Sequence, residues 1–261
     1  MSDNICLEIQ DGVAVFMLNR PDTYNAFDLD MIRTLARELT SIALKKSVKG
    51  AVISGNGKAF CAGGDLRWIS SHAGGFSAAF HELAASYHQA IVEIRRMPKP
   101  VVAAINGLAA GGGFSLALGC DFRVMEAQAV LRQAYTSNGL SIDGGGTFSL
   151  PRLVGFARAL EIAVFDGAIE AKKALDWGLV TEIAEQGGSV KRAILMVKEI
   201  SERSLPSFAA SKRLLTDSFD TPLEAQLEKE RRALALCAAT SEGREGVTAF
   251  VEKRRPVFTG S

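Results

Sequence analysis

The sequence predicts an α/β fold in which parallel strands are covered by helices, followed by a helical C-terminal region. Three observations predict it. A buried-type strand, a glycine-bearing loop and a helix recur along the first half of the chain; units of this kind pack as parallel strands under helices. The apolar runs Ala51 to Ser54 and Val101 to Ile105 are short and continuous, as in strands buried on both faces. From Ser149 onward nearly every apolar pattern has the helical period.

The elements follow in order. Ile5 to Ile9 and Val13 to Leu18 are apolar runs split by Gln10, Asp11 and Gly12, the pattern of a tight hairpin. After the breaker Asn19, Arg20 and Pro21, Asp28 is placed to cap a helix with the stripe Met31, Ile32, Leu35, Leu39 and Ile42. The strand Ala51 to Ser54 leads into the loop Ala59 to Leu66. Ser77 to Met97 is helical in period, with Leu83, Tyr87, Ile91 and Ile94 on one face, and Pro98 and Pro100 end it. The strand Val101 to Ile105 runs into a second glycine loop, which opens a helix from Gly112 to Leu118, and Asp121 to Met125 returns as a strand. Beyond Ser149 one further strand is expected at Leu179 to Ile183. Pro206 and Pro222 divide the end of the chain into helices Ser207 to Phe219, Leu223 to Ala239 and Glu242 to Arg254.

Composition excludes several function classes. Nearly half of the 261 residues are apolar, enough for a sizeable core. Thirty basic residues face 29 acidic ones, and the only basic run is Lys253, Arg254 and Arg255, so charge offers nothing to nucleic acid. Cys6, Cys61, Cys120 and Cys237 are far apart and lack the paired spacing of a zinc or redox site; reduced thiols in a cytoplasmic protein are expected. No signal peptide is visible and no apolar run approaches the ~20 residues of a membrane span, so a soluble protein is expected.

Both glycine loops, Ala59 to Leu66 (AFCAGGDL) and Ala103 to Ser115 (AAINGLAAGGGFS), place backbone amides beside a helix start. Paired amides of that kind hold an oxygen that becomes negative during reaction. Neither loop is a phosphate cradle, because no segment ends in Gly-Lys-Ser/Thr. A dinucleotide fingerprint fails as well, since Gly55 and Gly57 are followed by Phe60, and Gly144 and Gly146 by Ser149. The simpler reading, that the glycines only permit tight turns, applies to one loop better than to two of like grammar.

The chain resembles the enoyl-CoA hydratase/isomerase, or crotonase, superfamily. The resemblance lies in NRPDTYNAF (Asn19 to Phe27), KAFCAGGDL (Lys58 to Leu66), KPVVAAINGLAAGGGFSLALGCDFRV (Lys99 to Val124), SIDGGGTFSLPRLVG (Ser141 to Gly155), ALDWGLV (Ala174 to Val180) and AFVEKR (Ala249 to Arg254), which run through the chain in order. It implies a crotonase-like repeated ββα spiral core over 1–200, carrying the acyl-CoA site, and a helical trimerisation region over 201–261. It also implies an acyl-CoA thioester whose carbonyl oxygen lies between the amides of Gly64 and Gly112. Losing one such donor typically costs about 3 to 4 kcal/mol.

The acids decide the reaction. In the family's hydratases two glutamates act, and the matching positions are Ser115 and Tyr135. Asp143 instead matches the carboxylate of family members that shift enoyl-CoA double bonds and of phenylacetate-pathway ring isomerases. One carboxylate suffices to take a proton from one carbon and return it to another, whereas hydration must also activate water. Isomerisation is therefore expected, with hydration as the alternative. His88 and an aromatic at position 135 also resemble aryl-CoA hydrolases and dehalogenases, in which the aspartate is a nucleophile. Those usually have an aromatic residue where this chain has Gly64. A silent acyl-CoA binder would keep the glycines and lose the acids. On its residues alone, Asp143 could merely start a turn, and His88 could be an ordinary core or surface histidine.

The remaining expectations concern binding. Asp65 and Asp121 sit at element boundaries and read as structural carboxylates, and Arg152 as a packing residue. The resemblance implies CoA contacts around Ala26, Ala62, Gly63, Gly64, Asp65 and Leu66, with Phe250 and Lys253 supplied by a neighbouring subunit of a homotrimer or a pair of trimers. No metal or redox cofactor is expected; coenzyme A enters as part of the substrate. His72 to Ser77 lies where a mobile pocket wall is expected.

Overall fold

The computed structural model describes residues 4–258. Strands β1 (Ile5–Gln10) and β2 (Val13–Leu18) form the expected hairpin, turning at Asp11 and Gly12. Helix α1 (Leu29–Ala43) starts where Asp28 accepts from the Met31 amide at 2.9 Å, and it buries all five stripe residues.

Three ββα repeats then build a spiral. Strands β3 (Gly50–Gly55) and β4 (Ala59–Cys61) lead to α2 (Leu66–Ser71) and α3 (Gly75–Arg96); β5 (Val101–Ile105) and β6 (Leu108–Ala110) lead to α4 (Gly112–Gly119). Strands β7 (Phe122–Glu126) and β8 (Val130–Arg132) lead to α5 (Gly146–Val154) and α6 (Phe156–Phe165). The first strand of each repeat joins a six-stranded sheet, parallel apart from the hairpin. The second joins a smaller sheet, where β4, β6 and β8 run parallel. The turn between the two strands thus carries the chain from one layer to the next.

Alternation along the strands divides the core. Ala14, Phe16, Leu18 and Ile53 face the main core with α1, α3 and α4. Val13, Val15, Val52, Val102 and Val124 face the opposite way and pack under Ala193, Met196 and Val197 of α8 (Ser189–Ser201). Every residue of α4 is buried, which is why its sequence carries no polar face.

Some elements differ from expectation. The strand expected at Leu179 to Ile183 is found as β10 (Glu182–Ala184), paired with β7. Leu179 and Val180 instead end α7 (Ala171–Asp176), their amides bonding back to the Ala174 carbonyl. Strands β4 and β6 lie inside the two segments expected as glycine loops, and the last strand of the second sheet, β9 (Ile169–Glu170), lies in the segment expected as helix.

The C-terminal helices are α9 (Leu205–Asp217), α10 (Leu223–Ala239) and α11 (Ser241–Val251). Lys212 fastens α9 to the core by donating to the Ile94 carbonyl and to Asp121, which also accepts from the Val101 amide. Arg152 lies over the rings of Phe148 and Phe219 and so serves packing. Among the described residues, no helix is long and apolar enough to cross a membrane.

Candidate active site

One cavity of about 410 Å³ lies where β4, α3, the start of α4 and the segment after β8 converge. Its walls are largely apolar: Phe27, Phe80, Leu83, Leu140 and Ile142. Among them stand Gly64, Gly112, Tyr135 and Asp143. The structure therefore brings together both glycine loops and the carboxylate predicted from sequence.

The direction of each amide follows from its backbone. Phe27 donates to the Gly63 carbonyl and accepts from the Asp65 amide, bracketing Gly64 in a parallel bridge. In that pattern the amide of the bracketed residue points to the opposite edge, here the cavity. Gly112 is the first residue of α4, so its amide has no partner inside the helix. Gly111 before it has φ 53° and ψ −125°, a conformation open to glycine, and this turns the chain into the helix. The two loops touch: a Cβ on Gly63 would stand 2.8 Å from the Gly112 nitrogen. Gly64 follows that contact directly and lines the same cavity as Gly112, an arrangement in which two amides can serve one oxygen.

Tyr87 holds this wall from behind, a role its helical period did not announce. Its hydroxyl donates to the Gly112 carbonyl at 2.5 Å, its ring lies 4.7 Å from that of Phe27, and Gly144 packs against it so closely that a Cβ there would be 2.3 Å from the ring. One side chain thus contacts an amide loop, the Phe27 strand and the turn after Asp143.

Asp143 and His88 also meet. The imidazole Nε2 lies 2.5 Å from the carboxylate Oδ1, and the two side chains are 54% and 35% exposed. Tyr135 has the Ser115 hydroxyl and the backbone of Asp143 beside its own hydroxyl. Burial, and then the negative charge of Asp143, push its phenol well above the ordinary range, so it stays protonated. Its loop is set by Asp166, which accepts from the Ala134 amide and the Ser137 hydroxyl; this residue was not singled out from sequence. Beneath the glycines, burial raises the Cys61 thiol to about 12 against a bond from the Gly63 amide, so it is no nucleophile.

The binding residues divide. Ala62, Gly63, Gly64 and Leu66 line the cavity. Asp65 is turned inward: its carboxylate caps α2 through the Arg67 and Trp68 amides and pairs with Arg20 at 2.8 Å. Burial opposes its charge, but the Arg20 bond and the two amides outweigh it and hold the carboxyl below its ordinary value. Ala26 lies behind the wall, its carbonyl accepting from Arg20. Phe250 and Lys253 are exposed on and just after α11, away from the cavity. The wall expected from His72 to Ser77 comes instead from Phe80, His81, Leu83 and Ala84 of α3. Among the described residues, no group of three or more His, Cys, Asp or Glu could hold a metal ion.

Comparison with known proteins bears on this geometry. The family model described as enoyl-CoA hydratase/isomerase matches residues 8–261. The chain is 31% identical to the 1,2-epoxyphenylacetyl-CoA isomerase of Escherichia coli over all of both chains. It is 36% identical to a probable enoyl-CoA hydratase of Rhodobacter capsulatus, over 97% of this chain and 96% of the relative. The crystal structure of an enoyl-CoA hydratase from a Polaromonas species superimposes with a TM-score of 0.92 at 33% identity, covering 97% of this chain and 98% of the other.

Proposed function

Because the chain belongs to the enoyl-CoA hydratase/isomerase family, a family of enzymes of crotonase fold, we propose that it acts on an acyl-CoA thioester and moves a double bond, with Asp143 as the single proton carrier. One observation carries this reading: a lone carboxylate shares a largely apolar cavity with the amides of Gly64 and Gly112, while serine and tyrosine occupy positions 115 and 135.

In this mechanism the thioester oxygen lies between the two amides. The Asp143 carboxylate takes a proton from the α carbon of a 3-enoyl-CoA, and the electron pair spreads into a dienolate whose negative oxygen the amides hold. The protonated Asp143 then gives its proton to the γ carbon, which leaves the 2-enoyl ester and restores the carboxylate. Gly112 begins a helix, and the positive end of the helix dipole adds to the attraction. No cofactor beyond the coenzyme A of the substrate enters the scheme.

The CoA moiety is assigned to the part of the cavity lined by Ala62, Gly63, Gly64 and Leu66, with the backbone of Ala26 and Asp65 behind it. Phe250 is 84% exposed, and with Lys253 it is suited to close that site on a neighbouring copy in a trimer or a pair of trimers.

The test is the product formed from a 3-enoyl-CoA and a 2-enoyl-CoA in heavy-oxygen water, by the wild type and by Asp143→Asn. A 2-enoyl ester without heavy oxygen, its rate falling about 10²- to 10⁴-fold in the variant, supports isomerisation. Heavy oxygen in a 3-hydroxyacyl product replaces it with hydration. The short contact between His88 and Asp143 favours one second reading, attack of Asp143 on an aryl-CoA substrate; release of CoA after attack at the thioester carbonyl, or of halide after attack at a halogenated ring carbon, identifies it.

A further inference from the structure

We propose that His88 is a proton-exchange residue for Asp143, linking the carboxyl that carries the substrate's proton to bulk solvent, so that the shifted hydrogen in the product comes from water. This rests on the isomerase reading and extends it.

The geometry points this way from three sides. Asp143 faces a cavity whose other walls are mainly hydrocarbon, and an acyl chain filling that space covers the carboxyl's inner face. Its neighbour outward is the His88 ring, with Nε2 2.5 Å from Oδ1. That ring is more than half exposed, while Tyr87, one residue earlier on α3, is 1% exposed. Consecutive helical residues point about 100° apart, so one buried position can be followed by one at the rim. His88 therefore touches the proton carrier with one ring nitrogen while standing in water.

The chemistry balances without any co-reactant. In the resting pair the imidazole Nε2–H donates to the carboxylate. Once the α proton has made Asp143 an acid, the exposed ring gives up its Nε2 proton and takes one on Nδ1 by exchange with water. The freed Nε2 lone pair then accepts the acid's proton, giving carboxylate and imidazolium. The imidazolium exchanges its protons with water and returns one to Asp143, which delivers it to the γ carbon. One proton leaves, one arrives, and no bond outside the substrate changes. The competing picture is a carboxyl that keeps the proton it took and hands the same one back.

Isotope content separates the two. Isomerisation of 3-hexenoyl-CoA in deuterium oxide is stopped at low conversion, and deuterium at the γ carbon of the product is read by mass spectrometry for the wild type, His88→Gln and His88→Ala. Glutamine keeps an N–H hydrogen bond to Asp143 but cannot accept a proton and release it to water, so a purely structural role survives that change and exchange does not. The wild-type product is expected to hold solvent deuterium in most molecules, His88→Gln product to hold several-fold less, and imidazole added to His88→Ala to restore it. Equal deuterium in wild type and His88→Gln overturns the proposal, as does a wild-type product free of deuterium. Failure to form any 2-hexenoyl ester instead marks failure of the isomerase reading. Exchange at the α carbon of hexanoyl-CoA then decides the role of His88: unchanged exchange in His88→Gln, or none in the wild type, rejects it.

Discussion

The two sides of the cavity handle charge differently. On one side Gly64 and Gly112 present backbone amides, fixed by a strand bridge, a helix start and the buried Tyr87. On the other, Asp143 and His88 are side chains at the rim, each partly open to water. The first arrangement suits a group that must not move while an oxygen gains charge, because preorganised dipoles cost no reorganisation during reaction. The second suits a group that must pick up and release a proton. Rigidity and access are thus divided between two parts of one cavity lining.

The sharpest way to break the rigid wall is a single methyl group placed at each glycine in turn. A Cβ on Gly112 would lie 2.7 Å from the Phe27 ring, which is itself buried against Tyr87 and whose backbone brackets Gly64. Something must shift, and the shift reaches both amides. A Cβ on Gly64 meets only the tips of Leu83 and Ile69, at 3.3 and 3.5 Å, which can give way. Gly112→Ala is expected to lower kcat/KM about 10²- to 10³-fold, and Gly64→Ala by less than about tenfold. Steady-state kinetics of both variants decide it, and equal losses would mean that the wall is not held through Phe27.

Removing only the brace gives a smaller effect. Tyr87→Phe keeps the ring packing and deletes the bond to the Gly112 carbonyl. A hydrogen bond of this kind is worth about 1 kcal/mol, or roughly fivefold in rate. The loss is expected in kcat with little change in KM, because the bond orients the amide needed most when charge develops. An unchanged kcat would reduce Tyr87 to a packing residue.

This contrast between walls was only partly readable in the sequence. Period revealed the hairpin, the Asp28 cap and the stripes of α1 and α3, because each spans several turns or strand residues and local rules act on it directly. Strands β4, β6 and β8 have three residues each, too few to show alternation, and only pairing with one another makes them a sheet. Within the site, glycine grammar marked the amide loops and the family resemblance marked Asp143. The meeting of His88 with Asp143 joins residues 55 apart and could not be read from spacing. Tyr87 was legible as core, but its hydroxyl partner lies on another element. Asp166, which sets the Tyr135 loop, left no local signal beyond an Asp before a Gly.

A still smaller effect should come from the support behind the amide wall, and it is expected in stability and its pH dependence. Arg20 spans Asp65, Asp28 and the Ala26 carbonyl, holding the segment that brackets Gly64. Asp65→Asn can still cap α2 but loses the charged bond to Arg20, at a cost of about 2 kcal/mol near neutral pH. The folded carboxyl lies below its ordinary value of 3.8, so its contribution is complete above that value and fades as pH falls through the folded one. Urea unfolding should therefore show a constant gap between wild type and variant from about pH 7 to 5, narrowing below about pH 4. A gap that persists or widens in acid would place the support in packing around Arg20 rather than in its charge pair. The amide wall would then owe its rigidity to apolar contacts alone.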